Sequence, residues 1–412
     1  MRILENIKNK EIEAVYPIIK ALENGAIGFV GAIYVLFLLD NGLDVFQVTL
    51  VNTSFMIANF VFEVPTGVIA DIFGRKRSSI IGLLFLAFGM LVYFFGTHVL
   101  LFILAEIVFA LGVTLRSGAL EAWVYDNMND SKNFQKLESK AQSYYFIAPL
   151  ISAPLGGLIA SYSNLRAPLL VSALILLLTT SFSMLFMKSD KSAYSRKGEK
   201  MAKKGAQLFA KVTKEGARTL INSRSLLLIT IAFAITNFAF QPLNMFWTVL
   251  LQNDFELDTG KIGIVFSLMS VSMSIGTLLA GRKILSKVRV NLQFVLTSVV
   301  IAAGIILALA FQNLYIFLFG FLLHEVSRGY LMPIKSTQIN KNTPSKVRAT
   351  VNSLHSMIYR LGAAIGLPIF GWITLNYSIQ TSWMISAIVI LLSGTIYLFL
   401  KTKPLQQPQQ DK

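Results

Sequence analysis

The feature that most constrains this chain is a series of long apolar runs separated by short polar gaps. Hydrophobic residues make up 54% of the 412 residues, and charged residues only 14%. About 20 apolar residues suffice for a helix to cross a bilayer, so each run is long enough for one crossing. The twelve predicted spans are 15–39, 47–70, 78–96, 99–122, 141–162, 167–187, 225–250, 261–281, 291–311, 314–334, 350–374 and 381–400. The sequence therefore predicts an all-α membrane protein with twelve transmembrane helices.

Basic residues are concentrated in every second gap between these runs. Most of the 37 Lys and Arg residues lie there, whereas the alternate gaps hold only Arg166 and Lys261, which is at a span boundary. Loops that carry Lys and Arg remain on the cytoplasmic side of a membrane. We therefore expect a multi-pass protein of the inner cell membrane with both termini in the cytoplasm.

Composition also indicates whether the chain binds nucleic acid, acts as an enzyme or holds a cofactor. A net charge of +16 could suit nucleic acid, but the charge lies in short loops, where it sets topology and meets anionic lipid. No nucleic-acid partner is expected. The chain contains no cysteine, no phosphate-binding GxxxxGK[ST] loop and no Ser-His-Asp grouping. We expect neither an enzyme nor a cofactor, and a proton gradient is the expected driving force.

One long polar interruption divides the chain. Residues 188–223 are rich in Lys, Ser and Gly and are interpreted as a cytoplasmic basic linker. They separate an N-terminal six-helix bundle, residues 1–187, from a C-terminal six-helix bundle, residues 224–401. Residues 402–412, with repeated Pro and Gln, are typical of a disordered cytoplasmic tail.

The two halves also resemble each other in sequence. Three pairs of positions recur in order at an offset close to 214 residues: Pro154 and Gly157 with Pro368 and Gly371, Arg116 with Arg328, and the tripeptide 74–76 with 281–283. Bundles with six crossings each insert the same way up. Such parallel repeats are typical of rocking transporters with a substrate site between their halves, which predicts two pseudo-symmetric six-helix bundles.

The loop between the second and third spans carries the most specific motif. It reads GxxxDxxGRK, followed by one more basic residue, and comprises Gly67, Asp71, Gly74, Arg75, Lys76 and Arg77. Here the sequence resembles the major facilitator superfamily, the MFS, in which this loop latches the halves in the outward-open state. The resemblance implies that these residues act as a gate. Glu63, on the same helix face as Gly67 and Asp71, is expected to support the loop, and Glu121 and Asp126 are expected to pair with Arg75 or Arg77.

Two flanking segments extend this resemblance. Residues 62–66, FEVPT, and residues 116–126, RSGALEAWVYD, are similar to bacterial efflux-type members of the superfamily. The resemblance covers the whole chain at the level of the fold and does not reach the substrate.

Ionisable groups inside apolar spans are costly and therefore point to function. A carboxyl group in a poorly hydrated cavity can exchange a proton as the cavity opens to either side. Glu106 and Glu325 lie deepest in spans four and ten, so they are the first candidates for proton coupling, and Glu23 is the next. Glu325 lies three residues from Arg328, and a purely structural ion pair is an equal alternative.

A further set of polar and aromatic residues lies in spans that line the cavity of this superfamily. Span seven combines hydrogen-bonding and aromatic groups with a proline that weakens the helix. The predicted substrate-cavity residues are Asn24, Asn237, Gln241, Trp247, Arg328, Arg360 and Arg116.

These patterns lead to one principal functional hypothesis, a proton-coupled secondary transporter that exports a small amphipathic compound and works as a monomer. One alternative is a proton-coupled importer of a nutrient or metabolite, because buried arginines suit anionic groups. A second, from another class, is a non-transporting membrane receptor or scaffold.

Overall fold

A computed structural model describes residues 2–128, 134–188, 214–282, 288–344 and 347–400 of this chain. Every regular element within these ranges is helical, which confirms the predicted all-α fold class. The first eight helices are α1 Arg2–Gly31, α2 Tyr34–Asp40, α3 Val45–Phe73, α4 Arg75–Phe95, α5 Val99–Arg116, α6 Ala119–Asn127, α7 Phe134–Tyr162 and α8 Ala167–Phe186. Residues 214–222 are also helical. The others are α9 Arg224–Ala239, α10 Gln241–Phe255, α11 Thr259–Ala280, α12 Val290–Ala310, α13 Leu314–Lys341, α14 Arg348–Asn376 and α15 Ile379–Ile396, with a 3-10 turn at Tyr397–Phe399.

The number of membrane crossings can be compared with these helices. In the described part of the chain, ten helices are long and apolar enough to cross a bilayer, and α1 with α2 gives an eleventh if that bent pair is one span. The one predicted span still to be accounted for is the tenth along the chain, residues 314–334. It lies in α13, a continuous helix of 28 residues. His324, Glu325 and Arg328 lie in its interior, and α13 is not among the helices that are long and apolar enough to cross a bilayer. The count of twelve therefore stays a prediction.

Three of the predicted spans contain breaks. The first bends by 44° between α1 and α2. The fourth is interrupted before α6 by Gly118, whose φ of +72° is a left-handed conformation that favours glycine. The seventh breaks at Phe240, just before Pro242. A proline has no backbone N–H to continue the helical hydrogen bonds, so the weakness predicted for span seven is confirmed.

Glycine pairs set the closest helix crossings. A Cβ atom at Gly82 of α4 would lie 2.8 Å from the carbonyl oxygen of Gly112 in α5. A Cβ atom at Gly304 of α12 would lie 2.6 Å from the carbonyl oxygen of Gly320 in α13. Neither distance leaves room for a side chain, so these backbones pack directly against each other, as small residues allow in membrane helices.

The chain forms two compact units. The first comprises Met1–Ala206 and Met245–Ser267, and the second comprises Gln207–Asn244 and Leu268–Lys412. Residues 189–213 of the predicted linker and the predicted tail 402–412 lie outside the described residues. The boundaries of the two six-helix bundles therefore stay a prediction.

Candidate gating and transport sites

The motif loop joins α3 to α4 through a single residue. Gly74 has a φ of +99°, a conformation that favours glycine and permits a sharp turn. Directly after it, the guanidinium of Arg75 donates to the carboxylate of Asp126 and, at 3.2 Å, to the carbonyl oxygen of Ala122. The ammonium of Lys76 donates to the carbonyl oxygens of Met184, at 3.2 Å, and Met187. The loop is thus bound to α6 and to the end of α8.

Glu121 does not share the pairing of Asp126. Its carboxylate accepts a hydrogen bond from the ammonium of Lys20 in α1, rather than from the loop arginines. Five residues separate Glu121 from Asp126, which places them about 140° apart around a helix with 3.6 residues per turn. They therefore cannot both face Arg75.

The remaining gate residues occupy varied environments. The hydroxyl of Ser117, between α5 and α6, donates to Glu63 at 3.5 Å. The side chain of Arg77 is exposed. A Cβ atom at Gly67 would meet no described atom within 4 Å, so in this structure no described neighbour packs closely against this glycine. Asp71 lies in α3, and its side chain is outside the described part of the structure.

The Arg75–Asp126 ion pair provides a test of the gate. Replacing Asp126 with Asn is expected to cost less than about 1 kcal/mol of stability, because both side chains are solvent-accessible and exposed pairs contribute little. Transport is nevertheless expected to slow several-fold, because a latch acts on conformational exchange. Thermal unfolding and solute counterflow measure the two effects.

A matched control is Asp258→Asn, which removes another exposed ion pair. Hydrogen bonds from the side chain and the backbone amide of Lys261 lower the pKa of the Asp258 carboxyl group. This pair lies outside the motif, so its loss should leave transport unchanged. If the Asp126 variant transports as fast as this control, the pair has no gating role.

Glu23 and Arg116, predicted separately, form one ion pair. Arg116 donates from Nε to Glu23 Oε1 at 2.7 Å and from Nη2 to Glu23 Oε2. Its remaining terminal nitrogen donates to the hydroxyl of Ser79 at 3.0 Å. Arg116 is 5% exposed, so this bidentate pair between α1 and α5 is largely shielded from water.

Glu106 lies within a hydrogen-bonded cluster of the first unit. The hydroxyl of Tyr34 donates to Glu106 at 2.6 Å and lies 3.0 Å from the hydroxyl of Tyr93. Asn52 donates to the same Tyr34 oxygen at 3.1 Å. Glu106 is buried in α5, and the other members of the cluster come from α2, α3 and α4. These contacts could not be predicted from the sequence, because the residues lie far apart along the chain.

Glu325 lies in a second buried cluster, on α13. Its Oε1 atom is 3.4 Å from Arg328 Nη1 and 3.6 Å from His324 Nε2. Arg328 also donates to Asn244 at 2.8 Å, and its guanidinium lies 4.8 Å from the ring centre of Phe240. Arg328 therefore contacts both Glu325 and the start of α10.

Hydrogen bonding within this second cluster is incomplete. Among the described residues, Glu325 Oε2, His324 Nε2 and Arg328 Nε are buried and have no hydrogen-bond partner. A buried polar atom without a partner costs about 1–3 kcal/mol. The cluster thus retains the capacity to bind a proton or a polar ligand group.

Two asparagines predicted to contact substrate instead join helices, and they do so equivalently in the two units. Asn24 of α1 donates to the carbonyl oxygen of Tyr145 in α7 at 2.7 Å. Asn237 of α9 donates to the carbonyl oxygen of Tyr359 in α14 at 2.8 Å. The offset between these contacts matches the offset of the sequence repeat. Gln241 donates to the Asn237 carbonyl oxygen at 2.7 Å, so all three amides have partners in the protein.

The last two predicted cavity residues are Trp247 and Arg360. Trp247 is buried, with its ring centre 6.2 Å from that of Phe266. Arg360 lines a cavity of about 400 Å³ between α13 and α14, together with Lys335 and His355. Lys335 comes directly after the predicted span 314–334, in one of the basic gaps, so the sequence does not predict this cavity.

The family follows from a comparison with known sequences. The sequence model of the Major Facilitator Superfamily matches residues 20–308 and 291–412. The chain belongs to the Major Facilitator Superfamily. It is accordingly a multi-pass membrane transporter with a small-molecule substrate, and it is not an enzyme.

Individual relatives of this MFS chain are distant. It is 26% identical over 380 residues to the uncharacterized MFS-type transporter YxaM of Bacillus subtilis (strain 168), covering 92% of this chain and 93% of the relative. It is 29% identical over 147 residues to Multidrug resistance protein 2 of the same organism, covering 35% of each. The crystal structure of the nucleoside transporter NupG has a TM-score of 0.78 at 14% identity, covering 94% of this chain and 98% of that one. The structural likeness shows a shared fold.

Proposed function

We propose that this protein is a proton-coupled secondary transporter that exports a small amphipathic compound by alternating access. The observation that carries the proposal is a buried carboxyl group in each unit, Glu106 in α5 and Glu325 in α13. Ionised carboxylates inside a membrane protein are costly, so a carboxyl group kept there is a candidate for proton transfer. The proton gradient is the driving force, and no cofactor takes part.

The surroundings of the two carboxyl groups suit two different tasks. Glu106 accepts a hydrogen bond from Tyr34 within an otherwise closed cluster. Among the described residues, the Oε2 atom of Glu325 has no hydrogen-bond partner, and its Oε1 atom lies near both His324 and Arg328. We propose that Glu325 exchanges its proton during transport, while Glu106 supports it, and that Glu23 is held by Arg116.

Export is the direction favoured by the partial match to Multidrug resistance protein 2. We propose a monomer in the inner cell membrane with both termini in the cytoplasm, as the distribution of basic residues predicts. The gating role of the motif loop belongs to the same proposal.

The decisive test uses purified protein in liposomes. Glu325→Gln is expected to reduce transport driven by a pH gradient to background while retaining solute exchange without a gradient. Glu106→Gln is expected to weaken coupling less. Full coupling in both variants would refute the proposal. Glu256→Gln, in the exposed loop between α10 and α11, is the matched control and should behave as the unmodified protein.

Import of an anionic nutrient is the second candidate, favoured by the Nε atom of Arg328, which is buried and has no hydrogen-bond partner among the described residues. An arginine of this kind can bind a carboxylate or phosphate group. Removing the protein from cells separates the two directions, because loss of an exporter raises drug sensitivity and loss of an importer impairs growth on a single nutrient. If liposomes exchange no solute under any gradient, the receptor or scaffold alternative is favoured.

A further inference from the structure

A cavity between α13 and α14 is lined by several basic side chains. It has a volume of about 400 Å³, and both helices belong to the second unit. Among the described residues, its lining includes Lys335, His355 and Arg360, together with neutral polar side chains, and no carboxylate. Its size lies within the range of small-molecule sites in proteins. A cavity lined in this way favours an anion.

Lys335 is the residue that most clearly lacks a counter-charge. Its ammonium lies 4.8 Å from the ring centre of Tyr359 and 5.0 Å from that of Phe233. Within the described ranges it has no carboxylate oxygen within 4 Å and donates no hydrogen bond. The two rings hold the cation by cation–π contact, but they do not neutralise its charge. Its three N–H groups remain available to an acceptor.

A comparison of the two units through the sequence repeat shows that the acid found beside a lysine in the first unit has no counterpart in the second. Tyr145 in the first unit is the counterpart of Tyr359, because each accepts the equivalent hydrogen bond from an asparagine. The ammonium of Lys20 lies 6.0 Å from the ring centre of Tyr145. There, Glu121 neutralises the lysine. Counted from Arg116 and Arg328, the position of Glu121 corresponds to Pro333 in the second unit. Counted from Asn24 and Asn237, the position of Lys20 corresponds to Phe233, so the lysine beside Tyr359 is supplied by a different helix, α13. The second unit therefore has a lysine beside the equivalent tyrosine, without an acid at the position of Glu121.

His355 provides an independent observation at the same cavity. It is 5% exposed, and its Nδ1 atom lies 3.1 Å from the hydroxyl oxygen of Thr230. Its Nε2 atom is buried and has no hydrogen-bond partner among the described residues. A ligand in the cavity could satisfy this atom and remove the cost of leaving it unpaired.

We propose that this cavity binds an oxyanion, the carboxylate or phosphate group of a small molecule, through Lys335, His355 and Arg360. The group comes either from the transported solute or from an anionic lipid headgroup. In the first case the inference names the substrate class and rests on the proposed transport function. In the second case the cavity is a lipid site that requires no transport.

Ligand-induced stabilisation of the purified full-length protein tests the proposal, because a ligand that binds the folded state raises its unfolding temperature. The probes are inorganic phosphate, succinate and dihexanoyl phosphatidylglycerol, with dihexanoyl phosphatidylcholine as the zwitterionic control. We expect at least one anionic probe to stabilise the protein. Lys335→Gln should weaken its binding by about tenfold or more, since a hydrogen bond to a charged group is lost. Lys335→Arg should retain binding.

Lys261→Gln is the control for general charge effects, because Lys261 is exposed and lies outside the cavity. The proposal is overturned if no anionic probe stabilises the protein, or if Lys335→Gln responds as strongly as Lys261→Gln. If Lys335→Gln does not fold, Arg360→Gln gives the same readout. Stabilisation by phosphate or succinate identifies a solute site, and stabilisation by phosphatidylglycerol alone identifies a lipid site.

Measurements of binding and transport separate this proposal from the proposed function. Proton-driven transport by a protein that binds none of the anionic probes refutes the inference alone. Binding that depends on Lys335 in a protein without transport activity supports the cavity site and refutes the transport function.

Discussion

Replacing Arg116 with Ala is expected to lower the free energy of unfolding by about 3–5 kcal/mol, because the partner carboxylate stays in place without its counter-charge. Arg116 is buried and holds both carboxylate oxygens of Glu23, as well as the hydroxyl of Ser79. Leaving a largely buried charge without its partner is among the most destabilising effects that a point mutation can have. Denaturant or thermal unfolding in detergent measures the loss.

A double-mutant cycle identifies the cause. The cycle compares Glu23→Gln, Arg116→Gln and the double variant. The double variant leaves two neutral groups that can hydrogen-bond, so it should be more stable than Arg116→Gln alone. Arg77→Ala, an exposed arginine of the motif loop, is the control and should change stability by no more than about 0.5 kcal/mol. An Arg116→Ala protein as stable as this control would show that the pair contributes nothing to the fold.

Replacing Gly276 with Ala is the second change from which we expect a large effect. A Cβ atom there would lie 2.8 Å from the backbone nitrogen of Tyr330 and even closer to the carbonyl oxygen of Val326. On the facing helix, a Cβ atom at Gly329 would lie 2.8 Å from the Cα atom of Met273. Backbone atoms cannot rotate away as side chains do, so α11 and α13 would have to separate. We expect a loss of about 3 kcal/mol or more and little folded protein.

Gly67→Ala is the matched control for this steric argument. Its Cβ atom would meet no described atom within 4 Å, and alanine favours the helix by about 0.5–1 kcal/mol over glycine. Stability should therefore be unchanged or slightly raised. Size-exclusion chromatography and thermal unfolding compare the two variants. Equal stability of the Gly276 and Gly67 variants would contradict the close packing of α11 on α13.

The sequence was informative wherever a local physical rule decided the outcome. Apolar runs of about 20 residues indicated the helices, because an uninterrupted hydrogen-bonded helix can cross hydrocarbon without exposing polar backbone groups. The turn at Gly74 and the weakness before Pro242 were predictable, since each depends on the backbone of one residue type. The motif loop was similarly readable, and it identified the superfamily.

The candidate sites were only partly predictable. Glu106 and Glu325 were identified because an acid in an apolar span is conspicuous. Their environments were not, because Tyr34 is 72 residues from Glu106 and reaches it only through the packing of α2 against α5. Glu121 was matched to the wrong arginines, since the sequence did not show that α1 brings Lys20 beside it. Asn24 and Asn237 were interpreted as substrate contacts, whereas the structure uses their amides between helices.

By itself, the sequence determined that this chain is a helical membrane protein with internally repeated halves, because hydropathy and residue spacing are properties of neighbours along the chain. Only the tertiary structure decided which charges neutralise one another. It gave Arg116 and Lys20 acidic partners and, within the part of the chain that the structure describes, left Lys335 without one. The physical reason is that charges in a medium of low dielectric constant interact strongly over a few ångströms, and those distances are set by helix packing.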